Sequence, residues 1–352
     1  MKHYAILLAV FFIAKHSAAT IHTVSNMSFS PGQYPTLDAA LSAAVAGDTI
    51  YMHGSTLDYG STFVNKSVVI IGPGHHPDKQ VPLAATITSL AIFAPNVQLI
   101  GLSIGFVGAN ALGTGLAMRR CRITSYMGGA VHISANNTTI EGCIFDYWNT
   151  VLCINFNNTE GHIVQHNLFA TPSPKIAQVS TIGIPTQIIN NVFLGDGFNF
   201  EAFSNLSGAV IRNNIFYGIQ AISLPAAAGM SGLTIDHNLT FGALDNEIHP
   251  VGSYPLNVIG VDPSFVAPGA ISLPYVHGVM DYSLQVTSPV IGYALDGTQI
   301  GLFGGAAQFF TPIYTTSGEP SIAKISIFNI TSPTTVPPGG TLTLSGTSTR
   351  VH

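Results

Sequence analysis

Charge is scarce in this chain. Only 8% of its 352 residues are Asp, Glu, Lys or Arg, against about 25% in an ordinary soluble domain. With 11 Lys or Arg, 16 Asp or Glu and a net charge of −5, it has no basic patch for nucleic acid. Carboxylates are too few to suggest a calcium site, since that ion takes about six to eight oxygens. Cysteine is scarce and odd in number: Cys121, Cys143 and Cys153 make no complete disulfide framework. Long apolar runs are also missing. Residues 4–14 form the opening one, too short to cross a bilayer. It follows Lys2 and precedes Ser17-Ala18-Ala19, the layout of a secretory signal peptide at residues 1–19. The mature chain is therefore expected to be secreted, extracellular or held at the cell surface, without a transmembrane segment.

What the sequence does have is a repeat. Cys121-Arg122-Ile123, Cys143-Ile144-Phe145, Asn167-Leu168-Phe169, Asn191-Val192-Phe193, Asn214-Ile215-Phe216 and Asn238-Leu239-Thr240 recur at intervals of 22, 24, 24, 23 and 24 residues. Met118, Ile140, Val164, Ile188, Ile211 and Ile235 each stand three places earlier. Such a period marks a solenoid. The Leu-rich consensus of leucine-rich repeats is absent, and β-branched and aromatic residues separated by Asn and Gly favour strands and turns. The fold class read from this is all-β: a parallel β-helix with coils of about 22–24 residues. Each residue then lies about 4.8 Å from its equivalent in the next coil. Asn167, Asn191, Asn214 and Asn238 become a ladder of amides, placed at a corner because Asn tolerates left-handed backbone. Ile123, Phe145, Phe169, Phe193 and Phe216 become a core stack. Cys121 and Cys143 are expected as stacked buried thiols.

Before the coils, residues 37–46 have helical spacing, with Thr36 to cap the start and Gly47 the end. This helix is expected to plug the open end of the solenoid. The β-helix is assigned to residues 20–310. Residues 311–352 form a linker and a short C-terminal β extension, with strands expected at 322–330 and 341–344.

A family resemblance rests on two groups of phrases. The first is Tyr34-Pro35-Thr36-Leu37-Asp38-Ala39-Ala40, followed by Ala46-Gly47-Asp48-Thr49-Ile50-Tyr51. The second is Val261-Asp262-Pro263-Ser264-Phe265, Asp281-Tyr282-Ser283-Leu284, Ser288-Pro289-Val290-Ile291-Gly292 and Asp296-Gly297-Thr298-Gln299-Ile300-Gly301. In that order they resemble the opening and closing coils of secreted right-handed parallel β-helix proteins of the pectate-lyase-like superfamily. Members carry Asp after the Ser-Pro run, where this chain has Gly292-Tyr293. The resemblance implies a right-handed helix and carbohydrate bound along an outer sheet face. In the lyases, carboxylates hold Ca²⁺ and an Arg or Lys abstracts a proton.

The candidates for such chemistry are few. An outward column two places before each mark holds Arg119, Glu141, Gln165, Ile189, Arg212 and Asp236, so Arg119–Glu141 and Arg212–Asp236 pair as neighbours. Arg212, Asp236 and Glu201 are the catalytic candidates if the chain is an enzyme. His132, Cys153, Asn155, Asp146 and Asp196 are the binding candidates. His132, Cys153, Asn155, Glu201 and Ser223 are expected to face outward, with His132 and Cys153 one coil apart. No metal site is assigned, and His75-His76-Pro77-Asp78 is read as a solvated loop. No cofactor is expected, with Ca²⁺ needed only by a lyase.

One column stands unexplained. Ile144, Leu168, Val192, Ile215 and Leu239 follow the marks, and alternation turns them outward. Such a stripe calls for a cover, expected from the apolar strands beyond Ile322 or from a partner. Three functions fit: a non-catalytic exported β-helix that binds a polysaccharide or cell-surface glycan or builds a surface structure, a polysaccharide lyase or hydrolase, or an interaction scaffold.

Overall fold

The structure is a computed structural model. It describes residues 19–28, 32–75, 83–124, 130–146, 152–170, 176–179, 183–197, 200–223, 230–270, 276, 279–305, 323–330 and 344–350. The expected signal peptide falls outside these residues apart from Ala19, as does the linker before Ala323.

The chain is a parallel β-helix. Ten strands from Ile21–Val24 to Thr234–Asp236 pair in sequence order to make one long face. A sheet of fourteen strands makes the other two. Its long strand Ser103–Ala109 shows how the two faces join. Ser103 and Ile104 pair with Arg122 and Ile123 on the second face, while Val107 and Ala109 pair with Val131 and Ile133 on the third. Later coils divide this span into two short strands with a loop between them. Coil-length differences therefore fall after the aromatic column.

The core is the predicted stack. Phe145, Phe169, Phe193 and Phe216 lie face to face, with ring centroids 4.6, 4.5 and 5.1 Å apart. Phe203 closes the stack edge-on to Phe193 and Phe216. Each buried Phe contributes about 1.5–3 kcal/mol by leaving water, and stacking adds roughly 0.5–1.5 kcal/mol per pair.

At the corner between the first and second faces, the Asn side chains are fully buried. The Oδ1 of Asn191 accepts from Asn167 N–H (2.9 Å) and Asn167 Nδ2 (3.0 Å), while Asn167 Nδ2 also donates to the Ile140 carbonyl. The same pattern repeats at Asn214 and Asn238 and passes one rung further, to Asn257. Each amide satisfies a backbone N–H that the corner would otherwise strand. The left-handed position is not the ladder Asn but the residue before it: Arg120, Gly142, His166, Asn190, Asn213 and His237 have φ between 51° and 62°. The ladder position is chosen for hydrogen bonding and its predecessor for the turn. Cys121 and Cys143 extend the column as free, buried thiols. Burial pushes the Cys143 thiol well up, with Cys121 beside it adding to the effect.

The helix is shorter than expected, Leu37–Ala43. Thr36 Oγ1 accepts the Ala39 N–H as predicted. The last turn stops early because two side chains take its free groups. Lys66 Nζ donates to the carbonyls of Leu41, Ser42 and Ala44, and the Asp48 carboxylate accepts the N–H groups of Val45 and Thr20. Together with a bond from His22 (3.0 Å), these donors hold Asp48 down at about 2.

The aliphatic stripe is covered, but not by the expected segment. Ile144, Leu168, Val192, Ile215 and Leu239 are 0–3% exposed and pack against Phe265, Tyr282, Val290, Ala294, Ile300 and Leu302. Parallel pairing ends at Val258–Ile259, Phe265–Ala267 pairs antiparallel with Asp281–Leu284, and the following turns lie across the second face. Two bonds tie this cover down: Gly301 N–H to the Asn213 carbonyl (2.8 Å), and His166 Nδ1 to the Leu302 carbonyl (3.1 Å). The closing phrases thus act as a lining rather than as further coils. They follow the last rung directly, which puts their apolar residues nearest the stripe. The C-terminal strands are Ala323–Ile330 and Leu344–Arg350, paired antiparallel, so the second begins where it was expected to end.

Candidate functional site

Three outer surfaces hold the candidate side chains. On the first face the outward column is a polar ladder. Arg119 Nε donates to Glu141 Oε2 (3.1 Å), and Gln165 Nε2 donates to Glu141 Oε1 (3.0 Å). Ile189 interrupts the ladder. Arg212 then chelates Asp236, with Nη2 to Oδ2 at 2.8 Å, and His237 Nδ1 bonds the same carboxylate at 3.1 Å. Arg212 and His237 hold Asp236 below the usual carboxylate range, and Asp236 raises Arg212. Both predicted ion pairs exist. As arranged, Asp236 is a committed anion and Arg212 a committed cation, so neither is poised to move a proton near neutral pH.

The second face places Asp146 in an ion pair with Arg122 at the head of the stripe. Asp196 lies, half-exposed, in the turn after Val192–Leu194. Among the described residues, no group of three His, Cys, Asp or Glu side chains is placed to hold a metal ion. His75 is buried rather than solvated, and the rest of its loop lies outside the described residues.

The third face brings His132 and Asn155 together as register partners on neighbouring rungs. Cys153 does not join them. It is fully buried in the core, because the face turn precedes Ile154 and directs both Cys153 and Ile154 inward. The outward column through His132 runs Phe63, Ala91, Gly108, His132, Asn155. Phe63 is 70% and Phe93 39% exposed, with ring centroids 5.8 Å apart. The Phe106 ring meets His132 edge-on at 5.4 Å. Between these two ring pairs the floor is Ala91, and the Phe106 ring leans over Gly108. A Cβ at Gly108 would come within 3.1 Å of the Phe106 ring. The shelf spans four rungs, three spacings or about 14 Å. Sequence reasoning missed it because early coils keep a looser period than those after Cys121, so Phe63, Phe93 and Phe106 did not line up by counting.

At the far end of the molecule lies a cavity of about 270 Å³, lined by Ile222, Met230, Ser231, Gly232, Leu233, His249, Pro250 and Tyr254. His249 Nε2 donates to Asp245 Oδ2 at 2.9 Å. Gln220 Nε2 donates to the same oxygen (3.0 Å), and the Glu247 N–H donates to the other (2.9 Å). His249 and the Glu247 amide keep the Asp245 carboxyl below its ordinary range. Glu201 reaches this neighbourhood through a backbone bridge to Gln220. Asp245 and His249 were not candidates in the sequence, where they sit four residues apart in an irregular stretch.

No family model matches the chain, and no curated protein matches it. Among solved structures, it is similar to crystal structures of the pectin methylesterase from Aspergillus niger in deglycosylated and penultimately deglycosylated form. Each likeness has 14% identity and a TM-score of 0.29, over 63% of this chain and 75% of that chain. A superposition this loose adds nothing to the parallel rungs already described.

Proposed function

We propose that this protein is an exported β-helix that binds glycan on its third face, without a cofactor. The observation supporting this is the aromatic shelf. Phe63 and Phe93 on one side and Phe106 and His132 on the other flank a floor at Ala91, and Gly108 makes room for the Phe106 ring. Sugar rings present apolar C–H faces and polar edges. Exposed aromatic rings offer matching apolar area, and a floor without bulky side chains lets a flat ring approach. Ser61, Ser89 and Asn155 stand on or beside the same columns and supply hydrogen-bonding groups for hydroxyls. Export rests on the leader-like residues 1–19.

The test is affinity electrophoresis and calorimetry against a panel of plant and microbial polysaccharides. The wild type is expected to be retarded by at least one polymer. The double variant Phe63→Ala/Phe93→Ala is expected to lose at least tenfold in affinity at unchanged thermal midpoint. Equal retention of the two proteins would sink the reading. The same polymers, assayed for reducing ends and unsaturated products with and without Ca²⁺, are expected to stay intact. Calcium-dependent cleavage lost on Arg212→Ala would replace the binding role with a lyase.

A further inference from the structure

The cavity at the C-terminal end is distant in sequence from the aromatic shelf, and the proposed glycan binding does not use it. Its walls are mostly apolar: Ile222, Met230, Leu233, Pro250 and the ring of Tyr254. Its polar lining includes Ser231 and His249. The imidazole is fixed from behind. Asp245 accepts from Nε2, which assigns the ring proton to that nitrogen and leaves Nδ1 as a hydrogen-bond acceptor. Gln220 and the Glu247 N–H hold the carboxylate in turn, so His249 is held at both ring and partner. An imidazole locked in one tautomer on the wall of an apolar cavity is a specific receptor for one hydroxyl group.

The volume, about 270 Å³, is small beside ordinary ligand sites of roughly 300–1,000 Å³. It admits one ring and no oligosaccharide. A free monosaccharide fits poorly, because its many hydroxyls would outnumber the polar groups and several would be buried unpaired. A ring with one hydroxyl fits both the walls and the two anchors. We propose that this cavity binds a small monocyclic alcohol of phenol type, with its hydroxyl between Ser231 and His249 and its ring against Met230, Leu233 and Pro250. Thioether and aromatic ring make a favourable contact of the kind Met230 offers.

The experiment uses the full mature chain and two probes, 4-methylphenol and toluene, followed by NMR titration of backbone amides. 4-Methylphenol is expected to shift amides of Ser231–Leu233 and His249–Tyr254, with toluene at least tenfold weaker. His249→Phe should bring 4-methylphenol down to the toluene level, and Leu233→Trp, which fills the cavity, should abolish both. Circular dichroism checks that each variant is folded. Because the probe comparison needs no variant, a misfolded mutant leaves the test intact. No shifts with 4-methylphenol at millimolar concentration would overturn the proposal. So would equal affinity for the two probes, or shifts that survive Leu233→Trp.

Discussion

On the second face five stacked aliphatic residues lie 0–3% exposed beneath Phe265, Tyr282, Val290, Ala294, Ile300 and Leu302, while on the third Phe63 and Phe93 stand 70% and 39% exposed. Both are apolar patches on outer faces of the same coil. They differ in what lies next to them in the chain. The segment leaving the last rung crosses the second face and carries Val290, Ile300 and Leu302 to it. Among the described residues, nothing packs over Phe63. An outward apolar column is therefore not by itself a binding surface, and the path of the closing segment separates the two cases.

Four experiments bear on that contrast, ordered by expected effect. Ile215→Lys buries a charge with no partner beneath the cover and should cost about 3–5 kcal/mol in urea unfolding. A cost below about 0.5 kcal/mol, the range of surface changes, would mean the cover is not packed.

Acid should act on both sides of the helix. His162, stacked on Phe156 at 3.9 Å behind the third face, is lowered to about 4 by burial. His166, which holds Leu302 of the cover, is lowered for the same reason. A histidine whose folded pKa lies below its unfolded value leaves the unfolded chain binding more protons, so stability falls as pH drops below the ordinary histidine range. For His162 the loss runs from about pH 6.5 to about pH 4 and should reach about 2 kcal/mol by pH 5. His162→Phe should flatten the profile whatever its effect on absolute stability. An unchanged slope would show that His162 does not titrate this way.

Gly301 sits at φ +80°, and a Cβ there would come within 2.8 Å of Ile215 Cδ1. Gly301→Ala should loosen the cover by about 1–2 kcal/mol and raise binding of a hydrophobic dye. Wild-type dye binding would mean the cover absorbs the methyl group. Smallest of all, Phe63→Ala on the open shelf should change stability by less than about 0.5 kcal/mol while weakening glycan retention. A larger stability loss would show that the ring serves packing.

Much of the fold was legible because the regular coils repeat one arrangement. Once the six marks from Cys121 to Asn238 are aligned, the Phe stack and the ion pairs Arg119–Glu141 and Arg212–Asp236 follow from alternation. The ladder's last rung, Asn257, was missed because only nineteen residues separate it from Asn238. The shelf and the Asp245–His249 cavity were not legible at all. Phe63, Ala91, Gly108 and His132 meet through register between coils of unequal length. Met230, Leu233 and His249 meet where the period has lapsed. Cys153 was misplaced outward because strand alternation was carried across a turn that breaks it.

The sequence by itself determined the solenoid, its rung spacing and the contents of its corner, since each depends on contacts between equivalent positions in adjacent coils. Tertiary structure decided which apolar face is hidden, which is open and where a cavity forms. Those outcomes depend on where irregular segments travel after the last parallel rung, and no period encodes that path.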